Sequence, residues 1–243
     1  MTNKTATNKS YSRDHQKLFR LFTMILVIFV ASYPMVSEAT TDKVRRPLDL
    51  PAGGGNNEEE DEEIPDVIQF FGQDFEGDAF VWVLDTSGSM SVGGNMQQLR
   101  EEFVGAVSSL SSETEFGVIA FNQNLQELDS HCKEATTSRK MVAAAWVVAL
   151  PTNGSSCISP AVIRGLEIAR KSSKEQRRVI LVGDGGSQCG STTPNATQDL
   201  INISMANWDR IAIDTVFVGG HGEGLDFYQA LANQNQGRLT ISQ

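Results

Sequence analysis

The stretch that decides the fold reads Phe80-Val-Trp-Val-Leu-Asp-Thr-Ser-Gly-Ser89. Its first five residues are all apolar, which is typical of a β-strand that is covered on both faces of its sheet. Gly77 precedes the apolar run and polar residues follow it, so we expect the strand to end near Asp85. The sequence therefore predicts a buried central strand that delivers a polar loop at its carboxyl end.

Strand-like and helical patterns mostly alternate along the rest of the chain. Strands are predicted over residues 80–84, 116–121, 125–128, 178–183, 211–218 and 237–241, and helices over 95–110, 136–149, from Ser159 onward, 193–207 and 225–234. This order predicts an α/β fold with a doubly wound, mostly parallel six-stranded sheet, one antiparallel edge strand and helices on both faces. Ligands bind such a sheet in the crevice at the carboxyl ends of its strands.

The amino-terminal segment has the pattern of a signal peptide. Basic residues precede an apolar run over residues 21–31, and small residues follow at Ser37 and Ala39. We therefore expect a signal peptide over residues 1–39 and an exported protein, whether periplasmic, at the cell surface or extracellular. The alternative is a membrane-anchored protein whose signal is not cleaved, although Pro34 interrupts the apolar stretch.

Residues 40–66 are predicted to form a disordered acidic linker, which leaves residues 67–243 for the folded domain. A glycine-rich stretch and the acidic run Glu58–Glu63 offer no apolar side chains for a core. The formal net charge of the whole chain is -10, which argues against nucleic acid and, after signal cleavage, against a membrane as partners. With three His, three Cys and no HExxH or CxxC motif, most zinc and haem sites are excluded.

Acidic and hydroxyl side chains follow two of the predicted strands. Asp85, Ser87 and Ser89 follow the first strand, Asp184 follows the strand 178–183, and Ser156 lies in the loop that opens the third helix. Because the carboxyl ends of parallel strands meet at one edge of the sheet, we expect these groups to converge. Oxygen ligands without thiolate or imidazole suit Mg2+ or Mn2+ rather than zinc.

This constellation resembles the metal ion-dependent adhesion site of the von Willebrand factor type A domain, and the resemblance runs from about Asp78 to Ile241. Residue by residue it assigns the metal ligands to Asp85, Ser87, Ser89, Ser156 and Asp184. The resemblance implies a non-enzymatic adhesion module that captures an Asp or Glu side chain of a protein ligand through the cation.

Two positions and one segment add detail to the resemblance. Ser156 stands where the family has Thr, and Gly183 stands where Thr or Ser is common. The segment Ile68-Gln-Phe-Phe-Gly72 is similar to what precedes this domain in some exported bacterial proteins, so we expect a short extra element there and a protein of that type.

The cysteines are informative in an exported chain. Cys157 follows Ser156 directly and Cys189 follows Asp184 by five residues, so both are expected on the rim of the site and form a candidate disulfide. Cys132 is expected at the opposite end of the sheet, free or paired between chains.

Other interpretations stay open at this stage. The residues from Asp85 to Ser89 could cap a helix without binding a ligand. The protein could be an envelope scaffold whose metal site is structural or vestigial. A metal-dependent hydrolase is the weaker alternative, because an aspartyl nucleophile needs a second carboxylate at the position of Ser87.

Overall fold

The structure of the protein, a computed structural model, describes residues 65–189, 196–219, 222 and 224–242. The predicted signal peptide, most of the predicted linker and the start expected for the helix at Thr193 lie outside the described residues and stay predictions. Within the described part of the chain, no helix is long and apolar enough to cross a membrane.

Nine strands and five helices make up the described part of the chain. The strands are β1 (Asp66–Phe70), β2 (Gln73–Gly77), β3 (Ala79–Asp85), β4 (Glu115–Phe121), β5 (Leu125–Glu127), β6 (Lys133–Glu134), β7 (Arg177–Gly183), β8 (Ala212–Phe217) and β9 (Leu239–Ile241). The helices are α1 (Asn95–Ser109), α2 (Thr137–Ala149), α3 (Ile158–Ala169), α4 (Ala196–Ala206) and α5 (Leu225–Gln234), and a 3-10 turn spans Gly88–Ser91.

The main sheet is mostly parallel with an antiparallel edge strand, as predicted. Its strands lie in the order β5-β4-β3-β7-β8-β9, with β3, β4, β7, β8 and β9 parallel and β5 antiparallel at the edge. The fold class is therefore confirmed. The described sheet holds seven strands rather than six, because the two-residue strand β6 also pairs with β4. Its sequence, Lys133-Glu134, is polar and too short to show an alternating pattern.

Side chains of β3 alternate between two cores, one on each face of the sheet. Phe80, Trp82 and Leu84 pack with helices α1 and α2, whereas Val81 and Val83 pack with the helices of the other face. Every residue of β3 is buried. A strand covered on both faces accounts for the continuous apolar run in the sequence.

The extra element expected near residues 68–72 is a β-hairpin. Strands β1 and β2 pair antiparallel, and their residues Ile68, Phe70 and Phe75 are fully buried. The ring of Phe70 lies edge-on to Trp82, with 6.3 Å between their centroids. The hairpin thus extends the core on the α1 face and leaves the carboxyl edge of the sheet open.

Candidate metal site

Asp85 is the last residue of β3 and lies in the middle of the sheet, between β4 and β7. Its side chain is 0% exposed. Oδ1 accepts a hydrogen bond of 2.7 Å from the backbone N–H of Ser87. Oδ2 is buried and has no hydrogen-bond partner among the residues that the structure describes. The carboxylate is therefore only half satisfied by the protein.

Burial raises the pKa of Asp85 from 3.8 to about 6, and the charge of Asp184 adds to this rise. The backbone N–H of Ser87 and the nearby hydroxyls of Ser87 and Ser156 act in the opposite direction. At neutral pH the group is still charged, but its surroundings favour the neutral form. A positive charge placed beside it would reverse that preference.

Ser87, Ser89 and Asp184 form a connected chain of oxygen atoms next to Asp85. The hydroxyls of Ser87 and Ser89 are 3.0 Å apart, and Ser89 Oγ donates to Asp184 Oδ1 at 2.7 Å. Ser87 is buried, Ser89 is exposed and Asp184 is half-buried. The chain of contacts therefore runs from the interior of the sheet to the solvent.

The loop that carries Ser156 is fixed against the other two loops by backbone hydrogen bonds. Gly88 N–H donates to Gly154 O at 3.0 Å, Asn153 N–H donates to Thr86 O at 2.9 Å, and Gln188 N–H donates to Ser156 O at 2.8 Å. Ser156 is 6% exposed. The structure thus brings the five residues predicted from the sequence to one edge of the sheet.

The predicted disulfide between Cys157 and Cys189 is present, with 4.5 Å between the two Cα atoms. It joins the residue after Ser156 to the loop that follows Asp184, so two of the loops at the site are covalently linked. Cys132 is free and buried, and its thiol contacts the carbonyl of Ile168. As expected, it lies far from the site, next to the amino end of β4.

Sequence reasoning missed Asn95, the first residue of α1. Its Nδ2 donates to Asp184 Oδ2 at 3.1 Å, so both carboxylate oxygens of Asp184 are hydrogen-bonded. A polar residue after Gly93 and Gly94 signals only a helix start, and nothing in the sequence indicates that it reaches Asp184.

The oxygen atoms fit a hard divalent cation such as Mg2+ or Mn2+. Such cations take carboxylate and neutral oxygen ligands, together with water. Among the residues that the structure describes, no group of three or more His, Cys, Asp or Glu side chains could hold a metal. Any cation here would therefore depend on the serine hydroxyls as well as on two carboxylates. Ser87 precedes the 3-10 turn without a side-chain capping bond, so capping does not occupy its hydroxyl.

Comparison with known proteins identifies the fold and gives distant relatives. Residues 80–187 match the family model of the von Willebrand factor type A domain. Human inter-alpha-trypsin inhibitor heavy chain H4 is 24% identical over 188 residues, which cover 63% of this chain and 20% of that protein. Mouse inter-alpha-trypsin inhibitor heavy chain 4 is 29% identical over 132 residues, covering 51% and 14%. This chain thus matches a fifth or less of the length of these curated relatives.

A solved structure supports the same fold. The von Willebrand factor type A protein from Catenulispora acidiphila superposes with a TM-score of 0.61 at 19% identity, over 70% of this chain and 40% of that chain. The segment matched by the family model includes the Asp85 loop, Ser156 and Asp184. The described residues therefore have a von Willebrand factor type A-like fold.

Proposed function

We propose that this chain is an exported, non-enzymatic binding protein that captures an acidic side chain of a partner protein through a divalent cation, Mg2+ or Mn2+. The residues that would hold the cation are Asp85, Ser87, Ser89, Ser156 and Asp184. Domains of the von Willebrand factor type A family typically mediate protein–protein interactions, which supports a binding role.

The observation that carries the proposal is the unpartnered oxygen of Asp85. A buried polar atom without a hydrogen bond costs about 1–3 kcal/mol, and more when it belongs to a charged group. In the described part of the chain, serine hydroxyls and a second carboxylate lie next to the Asp85 carboxylate. A bound cation would supply the missing partner.

The site is exposed to solvent on one side and buried on the other, which suits binding of a side chain from another protein. Ser89 is exposed and Asp184 is half-buried, whereas Asp85 and Ser87 are buried. When bound, the cation supplies a positive charge to which a carboxylate of the partner can bind. Asn95 Nδ2 donates a hydrogen bond to Asp184 Oδ2. The carboxylate of Asp184 is therefore oriented before any partner binds.

Two features support export and the absence of catalysis. The disulfide between Cys157 and Cys189 is of the kind that persists in oxidising compartments, and the predicted signal peptide agrees with it. A hydrolase with Asp85 as nucleophile needs a carboxylate two residues later as general acid. This chain has Ser87 there, and the hydroxyl of Ser87 lies against Ser89.

Calorimetric titration of Mg2+ and Mn2+ into the purified chain tests the cation. Wild type is compared with Asp85→Ala and with a matched control, Asp74→Ala, which removes an exposed aspartate of strand β2. We expect saturable binding in the wild type and the control, and none in Asp85→Ala. Absence of saturable binding in the wild type would contradict cation-dependent capture and favour a scaffold with a vestigial site.

The chemistry of the partner is tested with peptides. A library with one Asp or Glu at each position is compared with its Asn or Gln counterpart, in Mg2+ and in chelator. Binding that requires both the acid and Mg2+ supports the proposal. Binding that is indifferent to the acid contradicts it.

A further inference from the structure

Gly183 ends strand β7 directly beside Asp85. A Cβ atom added to Gly183 would lie 2.3 Å from the hydroxyl oxygen of Tyr228 and 3.0 Å from Asp85 Oδ2. The hydroxyl of Tyr228 therefore occupies the space in which a side chain at position 183 would begin.

The two oxygen atoms next to this point are both unpartnered. Tyr228 Oη and Asp85 Oδ2 are buried, and neither has a hydrogen-bond partner among the described residues. One atom carries a hydrogen-bond donor and the other is an acceptor. Two orphaned atoms of complementary chemistry, both within 3.0 Å of one point, indicate a functional pair rather than two separate defects.

Packing fixes the tyrosine ring at this position. Tyr228 lies in helix α5 and is 0% exposed. Its ring packs edge-to-face on Phe217, with centroids 5.2 Å apart, and its backbone carbonyl accepts a hydrogen bond of 3.1 Å from Thr215 Oγ1. The hydroxyl is thus held at the carboxyl edge of the sheet, away from solvent.

The start of α5 packs against the loop that follows Asp184. Gly224 precedes the helix with a φ of +115°, and a Cβ there would lie 2.5 Å from the backbone N of Gly186. Burial raises the pKa of Tyr228 well above its ordinary value, and the charges of Asp85 and Asp184 add to this rise. The hydroxyl therefore keeps its proton and remains a donor.

We propose that Tyr228 is a positioning residue of the cation site. Its hydroxyl donates through one water to one lone pair of Asp85 Oδ2, which leaves the other lone pair of that oxygen for the cation. Oδ1 of Asp85 is already held by the N–H of Ser87, so a donor at Oδ2 fixes the orientation of the whole carboxylate. This inference rests on the proposed function, because it assigns Tyr228 to the same cation site.

The test is the substitution Tyr228→Phe, which removes the hydroxyl and keeps the ring. Two quantities are measured: the Kd for Mg2+ by calorimetric titration, and the Tm in chelator. We expect the Kd to rise about tenfold, as for the loss of a hydrogen bond to a charged group. The Tm in chelator should stay the same or rise, because the buried Tyr228 hydroxyl has no direct hydrogen-bond partner among the described residues.

Thr215→Val is the matched control. It removes the hydroxyl that binds the backbone carbonyl of Tyr228 but leaves the Tyr228 hydroxyl in place. We expect the opposite pattern, with a lower Tm and an unchanged Kd for Mg2+.

A rescue experiment places a hydroxyl back at the same point. Gly183→Ser alone should destabilise the protein, because the new Cβ would lie 2.3 Å from Tyr228 Oη. In the Tyr228→Phe background the clash is relieved, and the serine hydroxyl should restore most of the Mg2+ affinity. A merely structural tyrosine would not produce this pattern.

Two results would overturn the inference. One of them leaves the proposed function intact, and the other refutes it as well. Equal Mg2+ affinity in wild type and Tyr228→Phe, with binding lost in Asp85→Ala, would refute the role of Tyr228 and leave the proposed function intact. No saturable Mg2+ binding in the wild type would refute both.

Discussion

Two aspartates of the same sheet, Asp85 and Asp214, are both 0% exposed but have opposite surroundings. Asp214 Oδ2 accepts a hydrogen bond of 2.8 Å from Arg178 Nη1, and its Oδ1 accepts one of 2.9 Å from the backbone N–H of Arg238. Asp85 has one backbone donor, and its second oxygen has no partner among the described residues.

The contrast separates a structural carboxylate from a candidate ligand. A buried charge is tolerated when it is paired and hydrogen-bonded, as Asp214 is, because its partners replace the lost water. Asp85 lacks such a partner and has hydroxyls and a second acid nearby instead. The protein thus satisfies the charge of Asp214 by itself, whereas it leaves the charge of Asp85 for a ligand to satisfy.

The largest expected effect comes from breaking the pair of Asp214. Asp214→Asn removes the charge opposite Arg178, whose side chain is only 24% exposed, so we expect the free energy of unfolding to fall by about 3 kcal/mol. Urea denaturation measures this change. The Kd for Mg2+ should not change, and a loss of Mg2+ binding would show that the two edges of the sheet are not independent.

Asp85→Asn should change the free energy of unfolding in the opposite direction to Asp214→Asn. In chelator at pH 7.5 the substitution removes a buried charge that the protein does not satisfy, so the free energy of unfolding should rise by about 3 kcal/mol. The same urea experiment measures the rise. A loss of stability comparable to that of Asp214→Asn would mean that the carboxylate of Asp85 is satisfied without a cation.

The pH dependence follows from the pKa of Asp85, which burial raises from 3.8 to about 6. Because the folded-state pKa is the higher one, the folded protein gains a proton as the pH falls through 6, and wild type gains stability relative to Asp85→Asn until about pH 4. The stability difference between the two proteins in chelator should therefore shrink from pH 7.5 to pH 4.

Protons also compete with the cation, so Mg2+ should bind roughly tenfold more weakly at pH 5 than at pH 7.5.

The smallest effect is expected at Asn95. Asn95→Ala removes one hydrogen bond to Asp184, but Ser89 still donates to the other oxygen. We expect the Kd for Mg2+ to rise about threefold with little change in stability. Gln97→Ala is the control on the same helix, because the Gln97 side chain bonds to the exposed Glu101 and lies outside the site. A larger effect in the control than in Asn95→Ala would contradict the role given to Asn95.

The sequence predicts those parts of the site that depend on local order along the chain. Asp85, Ser87 and Ser89 follow an apolar run, and Asp184 follows another, so strand ends alone place them at one edge. The Cys157–Cys189 disulfide could be predicted for the same reason, since each cysteine follows a predicted ligand closely. The position of Ser156 could be predicted because it lies in the loop just before a helix whose start the sequence indicates.

Partnerships set by strand register and helix packing could not be predicted. Asp214 and Asp85 both lie in apolar strands of the sequence, and only the register that pairs Arg178 with Ala212 brings the guanidinium to Asp214. Tyr228 reads as a core residue of an amphipathic helix. Its place beside Asp85 depends on how α5 packs against the end of β7.

The measurement that tests the central claim most directly is thermal unfolding of wild type and Asp85→Asn, each with Mg2+ and with chelator. At a Mg2+ concentration about 100 times the Kd, the cation should stabilise the wild type by roughly 2.7 kcal/mol and raise its Tm, whereas Asp85→Asn should melt at the same temperature in both conditions. An equal rise in both proteins, or no rise in the wild type, would contradict the claim that Asp85 is held for a cation.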